Sequence, residues 1–182
     1  MFSGKTEELL RRLRRAQIAN QHVEIFKPSI DVRYDAVSVV SHDANAVPAI
    51  VARSSREILD MVNNADVVCI DEAQFFDDEI TEVCQNLASD GVRVIISGLD
   101  MDYRGKPFGA MPNLLAVAEY ITKLHAICVH CGSLATHSYR ISTDTDTVVV
   151  GEKDKYEPRC RTCFSMGNVL DLPTHGKKMR RD

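Results

Sequence analysis

The periodicity of apolar positions divides the chain into two textures. Over residues 6–19, Leu9, Leu10, Leu13 and Ile18 recur at helical spacing, with Arg11, Arg12, Arg14 and Arg15 between them. This predicts an amphipathic helix with a basic outer face. Residues 23–26 read as a strand ended by Lys27 and Pro28, and 37–40 as a short β-like run. A second helix is expected over 54–63, capped by Ser54 or Ser55, with Ile58, Leu59 and Val62 inward. Val67, Val68, Cys69 and Ile70 form an unbroken apolar run that ends in Asp71 and Glu72, as expected of a strand buried on both faces. A helix over 78–89 closed by Gly91, a buried strand over 92–96 and a helix over 113–124 after Pro112 complete this half.

Strand alternating with helix predicts an α/β domain whose parallel sheet is covered on both sides. Beyond residue 124 the texture changes: β-like pieces at 136–141 and 147–150 lie between two cysteine pairs, and no helical pattern is evident. The expected organisation is therefore an α/β domain over 1–124, a small β subdomain over 125–170 and a solvated tail over 171–182.

The chain opens Met1-Phe2-Ser3-Gly4-Lys5-Thr6 and runs straight into the first helix. A phosphate loop needs backbone N–H groups unobstructed by a Cβ, a lysine for the β- and γ-phosphates and a hydroxyl for Mg²⁺. Ser3, Gly4, Lys5 and Thr6 suit those needs, and the helix that follows directs its dipole at the anion. The full pattern also asks for a glycine two positions upstream of Met1 and a strand before it. The expectation is a truncated chain, or one begun at an internal methionine, with an incomplete β-phosphate cradle. The buried strand ending in Asp71 supplies the second half of such a site, a carboxylate for Mg²⁺.

Four of the six cysteines form Cys128-x-x-Cys131 and Cys160-x-x-Cys163. Two such knuckles complete a closed tetrahedral shell, which predicts a structural zinc site with His130 outside it. Composition adds limits. Formal net charge is −4, so no chain-wide attraction to nucleic acid is expected. No apolar run approaches membrane-spanning length, and the start lacks a signal-peptide pattern. Cysteines paired as ligands then point to a reducing compartment, the cytoplasm.

Phe2-Ser3-Gly4-Lys5-Thr6, Asp71-Glu72-Ala73-Gln74-Phe75-Phe76, Lys106-Pro107-Phe108-Gly109 and the two cysteine pairs with Asp154-Lys155-Tyr156 stand in one order. Together they resemble the zinc-containing thymidine kinases of animals, bacteria and poxviruses, over residues 1–169. The resemblance implies a RecA-like P-loop domain with a zinc-ribbon subdomain and a tetramer. It also implies ATP- and Mg²⁺-dependent phosphorylation of thymidine and deoxyuridine, with dTTP as a feedback inhibitor. By the same resemblance Lys5 and Thr6 bind phosphate and Mg²⁺, Asp71 serves Mg²⁺, Glu72 is the general base and Arg33 contacts the transferring phosphoryl group. Phe75, Leu99, Tyr103, Phe108 and Tyr156 would surround the base, with Met1 near the thymine methyl. Residues 148–156, including Val149, would form a lid. Differences from the animal pattern at Met101, Asp102, Arg104 and Gly105 fall where variation is expected.

Two other readings compete. A P-loop ATPase with a nucleic-acid-binding ribbon would carry a basic ribbon. Here Asp144, Asp146, Glu152, Asp154 and Glu157 nearly balance Arg140, Lys153, Lys155 and Arg159. The other is an inactive remnant lacking the first strand.

Overall fold

The computed structural model describes residues 2–30, 38–40, 46–142 and 155–170, with the side chains at 38–40, 46 and 168–170 left aside. Helix α1 (Lys5–Ile18) leads to strand β1 (Val23–Pro28), then β2 (Ser38–Val40), β3 (Ala46–Pro48) and β4 (Ile50–Ala52). Helix α2 (Ser55–Met61), strand β5 (Val67–Ile70), helix α3 (Ile80–Ser89), strand β6 (Arg93–Ile96) and helix α4 (Met111–Val117) follow. Strands β7 (Ala126–Ile127), β8 (Leu134–Ala135), β9 (His137–Arg140) and β10 (Tyr156–Arg159) precede helix α5 (Arg161–Leu170).

The central sheet has the order β4-β1-β5-β6, and its pairs are parallel. β5 lies inside it and is buried along its whole length. Successive side chains of a strand point to opposite faces, and β5 uses both. Val68 and Ile70 join Phe26, Ile58, Ile80 and Leu114 in one core. Val67 and Cys69 join Leu9, Leu10, Leu13 and Ile95 under α1 in the other. The unbroken apolar run is thus explained by two covered faces, as expected for α/β architecture.

Most boundaries follow local chemistry. The Ser54 hydroxyl accepts from the Glu57 N–H at 3.4 Å and caps α2. Pro112 sits in the first turn of α4, where its missing N–H is harmless. The helix expected over 113–124 stops early, however. Ala118 turns extended at ψ 130°, and Tyr120 and Ile121 are exposed. No apolar stripe faces the core there, so tertiary packing does not sustain the helix. Its last residues are anchored singly: Arg12 Nη2 donates to Thr122 Oγ1 at 2.9 Å, and Lys123 pairs with Asp100 at 2.8 Å.

A second correction concerns the C-terminal half, where the sequence suggested no helix. Helix α5 packs on the β9–β10 hairpin, with the Phe164 ring stacked on His137 at 4.4 Å and edge-on to Tyr139 at 5.9 Å. Gly167 makes this approach feasible: a Cβ there would lie 2.8 Å from Tyr139 Cε2. The β-like run at 147–150 and the tail over 171–182 lie outside the described residues. Among the described residues, no helix is long and apolar enough to cross a membrane.

Candidate active site and metal centre

Helix α1 begins at Lys5 behind Gly4, whose φ of 76° is a left-handed conformation natural to glycine. Gly4 O accepts the first helical bond, from Glu8 N at 3.0 Å. Lys5 and Thr6 therefore lie in the first turn of α1, the end of a helix whose backbone N–H groups have no intrahelical partner. Residue Glu8, one turn on, is held well below the usual carboxylate range, at about 2, by hydrogen bonds from Arg11 and Arg12.

The second half of the expected site is the tip of β5, the strand on which α1 packs. Burial, and then the neighbouring Glu72 charge, push the Asp71 carboxyl up to about 6; the Lys5 ammonium pulls in the other direction. The Lys5 charge is thus felt at the Asp71 end of β5. Asp71 Oδ1 accepts from the Glu72 N–H at 3.0 Å. Glu72 itself occupies left-handed backbone space, φ 50° and ψ 42°, before the short 3₁₀ turn Ala73–Phe75. A non-glycine residue held there costs free energy, and such positions cluster at functional sites. The kink turns the chain off the strand so that Gln74 reaches back to Glu72 Oε2. Gln74 Oε1 accepts from Leu99 N at 2.9 Å.

The residues expected around a base form two groups. Phe75 and Phe108 meet edge to face, with centroids 5.6 Å apart. Tyr103 lies under the Arg140 guanidinium, 3.6 Å from its carbon to the ring centre, and Arg140 Nη2 donates to the Tyr156 hydroxyl at 2.6 Å. Tyr103 sits on a loop closed by the Met101–Pro107 bridge. Buried Asp102 organises that loop by accepting from Arg104 N at 2.8 Å, Lys106 N at 2.9 Å and Arg104 Nε at 3.0 Å. Asp102 and Gln74 are the residues sequence reasoning passed over. An acid two residues before one backbone donor and four before another was the available signal for the first. Met1, Arg33 and Val149, with the rest of 148–154, lie outside the described residues.

Ligand atoms of Cys128, Cys131, Cys160 and Cys163 all lie within 4.8 Å of one another. Surrounding donors lower two of the thiols: the Cys160 backbone N–H foremost for Cys128, to about 6, and Ser133 for Cys131. Sulfur neighbours, Cys160 first, push Cys163 up to about 12. A set in which some thiols ionise readily and another resists is short of positive charge, and a divalent soft-tolerant cation fits it. His130 is exposed and bonds Glu157 at 2.9 Å, outside the cluster. Phe2 packs on this lobe, against a cluster of Ala126, Cys128 and Ala135.

A parallel α/β sheet, a helix headed by Gly4, Lys5 and Thr6, a buried carboxylate pair and a four-cysteine cluster that can hold zinc fit a nucleotide-dependent kinase with a metal knuckle. A family model described as thymidine kinase matches residues 1–164. The chain is 59% identical over 164 residues to a thymidine kinase of Rhodothermus sp., covering 90% of this chain and 77% of that protein. It is 58% identical to one from Porphyromonas gingivalis over 90% of this chain and 80% of that protein. For one from Bacteroides thetaiotaomicron the figures are 55%, 90% and 82%. The chain belongs to the thymidine kinase family. That kinship does not favour the nucleic-acid-binding alternative.

Proposed function

We propose that this chain transfers the γ-phosphoryl group of ATP to the 5′-hydroxyl of thymidine, and of deoxyuridine, as a salvage route to dTMP. The observation that carries the reading is the buried Asp71–Glu72 tip of β5, where the charge of Lys5, at the head of α1, is felt.

Backbone N–H groups of Ser3, Gly4 and Lys5 cradle the phosphates, and the Lys5 ammonium neutralises the β- and γ-oxygens. Thr6 and Asp71 would hold Mg²⁺, which screens triphosphate charge; the buried Asp71 carboxyl, opposed by one lysine, suits another cation. Glu72 takes the 5′-hydroxyl proton as the oxygen attacks phosphorus, and ADP leaves. Arg33 steadies the transferring group. Phe75 and Phe108 flank the base with Leu99, Tyr103 and Tyr156, while Met1, Val149 and the rest of the lid exclude water. The four cysteines would hold a structural Zn²⁺ that anchors the β9–β10 hairpin.

dTTP combines the base with a triphosphate, so it would span both halves of the site and act as a feedback inhibitor. A homotetramer in the cytoplasm completes the proposal. The decisive experiment is dTMP formation from ATP and thymidine by the wild type and by Glu72→Gln. Turnover is expected to vanish in the variant while ATP binding persists; equal loss of both would sink the role given to Glu72.

A further inference from the structure

We propose that Gln74 is a positioning residue that locks the Glu72 carboxylate to the backbone of the base-binding loop at Leu99. The inference rests on the reading of Glu72 as the base.

The orientation of the Gln74 amide is not a free choice. A backbone N–H can only donate, so the atom facing Leu99 N at 2.9 Å must be the amide oxygen. The NH₂ end then points at Glu72 Oε2, where a carboxylate can only accept. Gln74 is 3% exposed, so neither bond competes with bulk water. One planar group therefore reads both sides: its donor fixes the rotation of the Glu72 carboxylate, and its acceptor fixes Leu99.

The surroundings are shaped for this side chain. A Cβ on Gly98 would lie 3.0 Å from Gln74 Oε1 and 2.6 Å from Met111 Sδ. A Cβ on Gly109, at φ 49°, would run into the Gln74 carbonyl. Gly98 thus closes on the Gln74 side chain and Gly109 on its backbone. The left-handed Glu72 and the 3₁₀ turn behind it bring the amide back across the strand tip. The Ala73 N–H donates to Ser97 O at 2.9 Å and ties that turn to the end of β6.

The two bonds separate experimentally. Gln74→Met keeps the length of the side chain and removes both bonds. It is expected to lower kcat by about ten- to a hundredfold and to raise the KM for thymidine, with the KM for ATP unchanged. Gln74→Glu keeps an acceptor for Leu99 and sets a second carboxylate against Glu72. It is expected to lose kcat to at least the same degree, with the thymidine KM within about twofold of wild type. Wild-type kcat in Gln74→Glu overturns the proposal, as does a kcat loss matched by an equal rise in the KM for ATP, which marks general damage. If either variant folds poorly by thermal melting, the other decides. An inactive wild type would instead remove the proposed function, and an active Glu72→Gln the base role on which this inference stands.

Discussion

The Arg140 guanidinium lies 3.6 Å from the centre of the Tyr103 ring and 5.2 Å from that of Tyr156. Arg140 and Tyr156 belong to the hairpin beside the cysteine cluster, whereas Tyr103 belongs to the loop after β6. A buried cation stacked on one ring and bonded to the hydroxyl of another holds the loop after β6 and the hairpin in register.

Arg140→Ala should therefore raise the KM for thymidine by about tenfold or more, since a desolvated cation–π contact contributes about 2 kcal/mol. The KM for ATP should not move. Arg140→Lys keeps the charge but lacks the planar fork, so it should recover only part of the loss. Steady-state kinetics with each substrate varied in turn checks this, and unchanged thymidine kinetics in Arg140→Ala would refute the clamp.

Acidity gives a second handle. Burial raises Asp71 to about 6 from 3.8, so the folded chain binds that proton more tightly than the unfolded chain. Its contribution to stability is full below the unfolded value and is lost as pH rises through the folded one. Asp71→Asn should stabilise the ligand-free protein at pH 8 by up to about 3 kcal/mol, at about 1.4 kcal/mol per pKa unit. The advantage should shrink through pH 6 to 4 and vanish below. Melting curves across that range, with and without the substitution, test the sign. The same variant should fail in turnover.

The cysteine cluster gives a third. Metal analysis should find one zinc ion per chain, and a strong chelator should lower the melting temperature and release thiols to a colorimetric reagent. Cys131→Ser should lose the metal, because three ligands hold it far less tightly than four. Full zinc content in that variant would remove Cys131 from the shell.

Much of the fold was legible because it depends on short-range pattern. The run from Val67 to Ile70 announced a strand between two covered faces, and the spacing of Leu9, Leu10 and Leu13 announced the helix on one of them. The cysteine pairs were legible because their chemistry is nearly independent of context. Helix α5 was not: its one cysteine, Cys163, read as a ligand with Cys160 just ahead of the helix, and Gly167, a poor helix former, is there for the close approach of Tyr139. Apolar residues after α4 read as a helix continuing, yet Tyr120 and Ile121 stay exposed. Asp102 fell among positions expected to vary and Gln74 had no assigned role, because their roles lie in hydrogen bonds to residues 2 to 25 positions away, which no periodicity records.

Phe2 has a last consequence. Its side chain rests on the lobe of the four cysteines while the next residues turn into the head of α1. If zinc fills the cysteine shell and a triphosphate sits at the head of α1, ordering of this one segment would serve both, and thermodynamic reciprocity would apply. Whatever zinc then added to affinity for the triphosphate, the triphosphate would return as affinity for zinc.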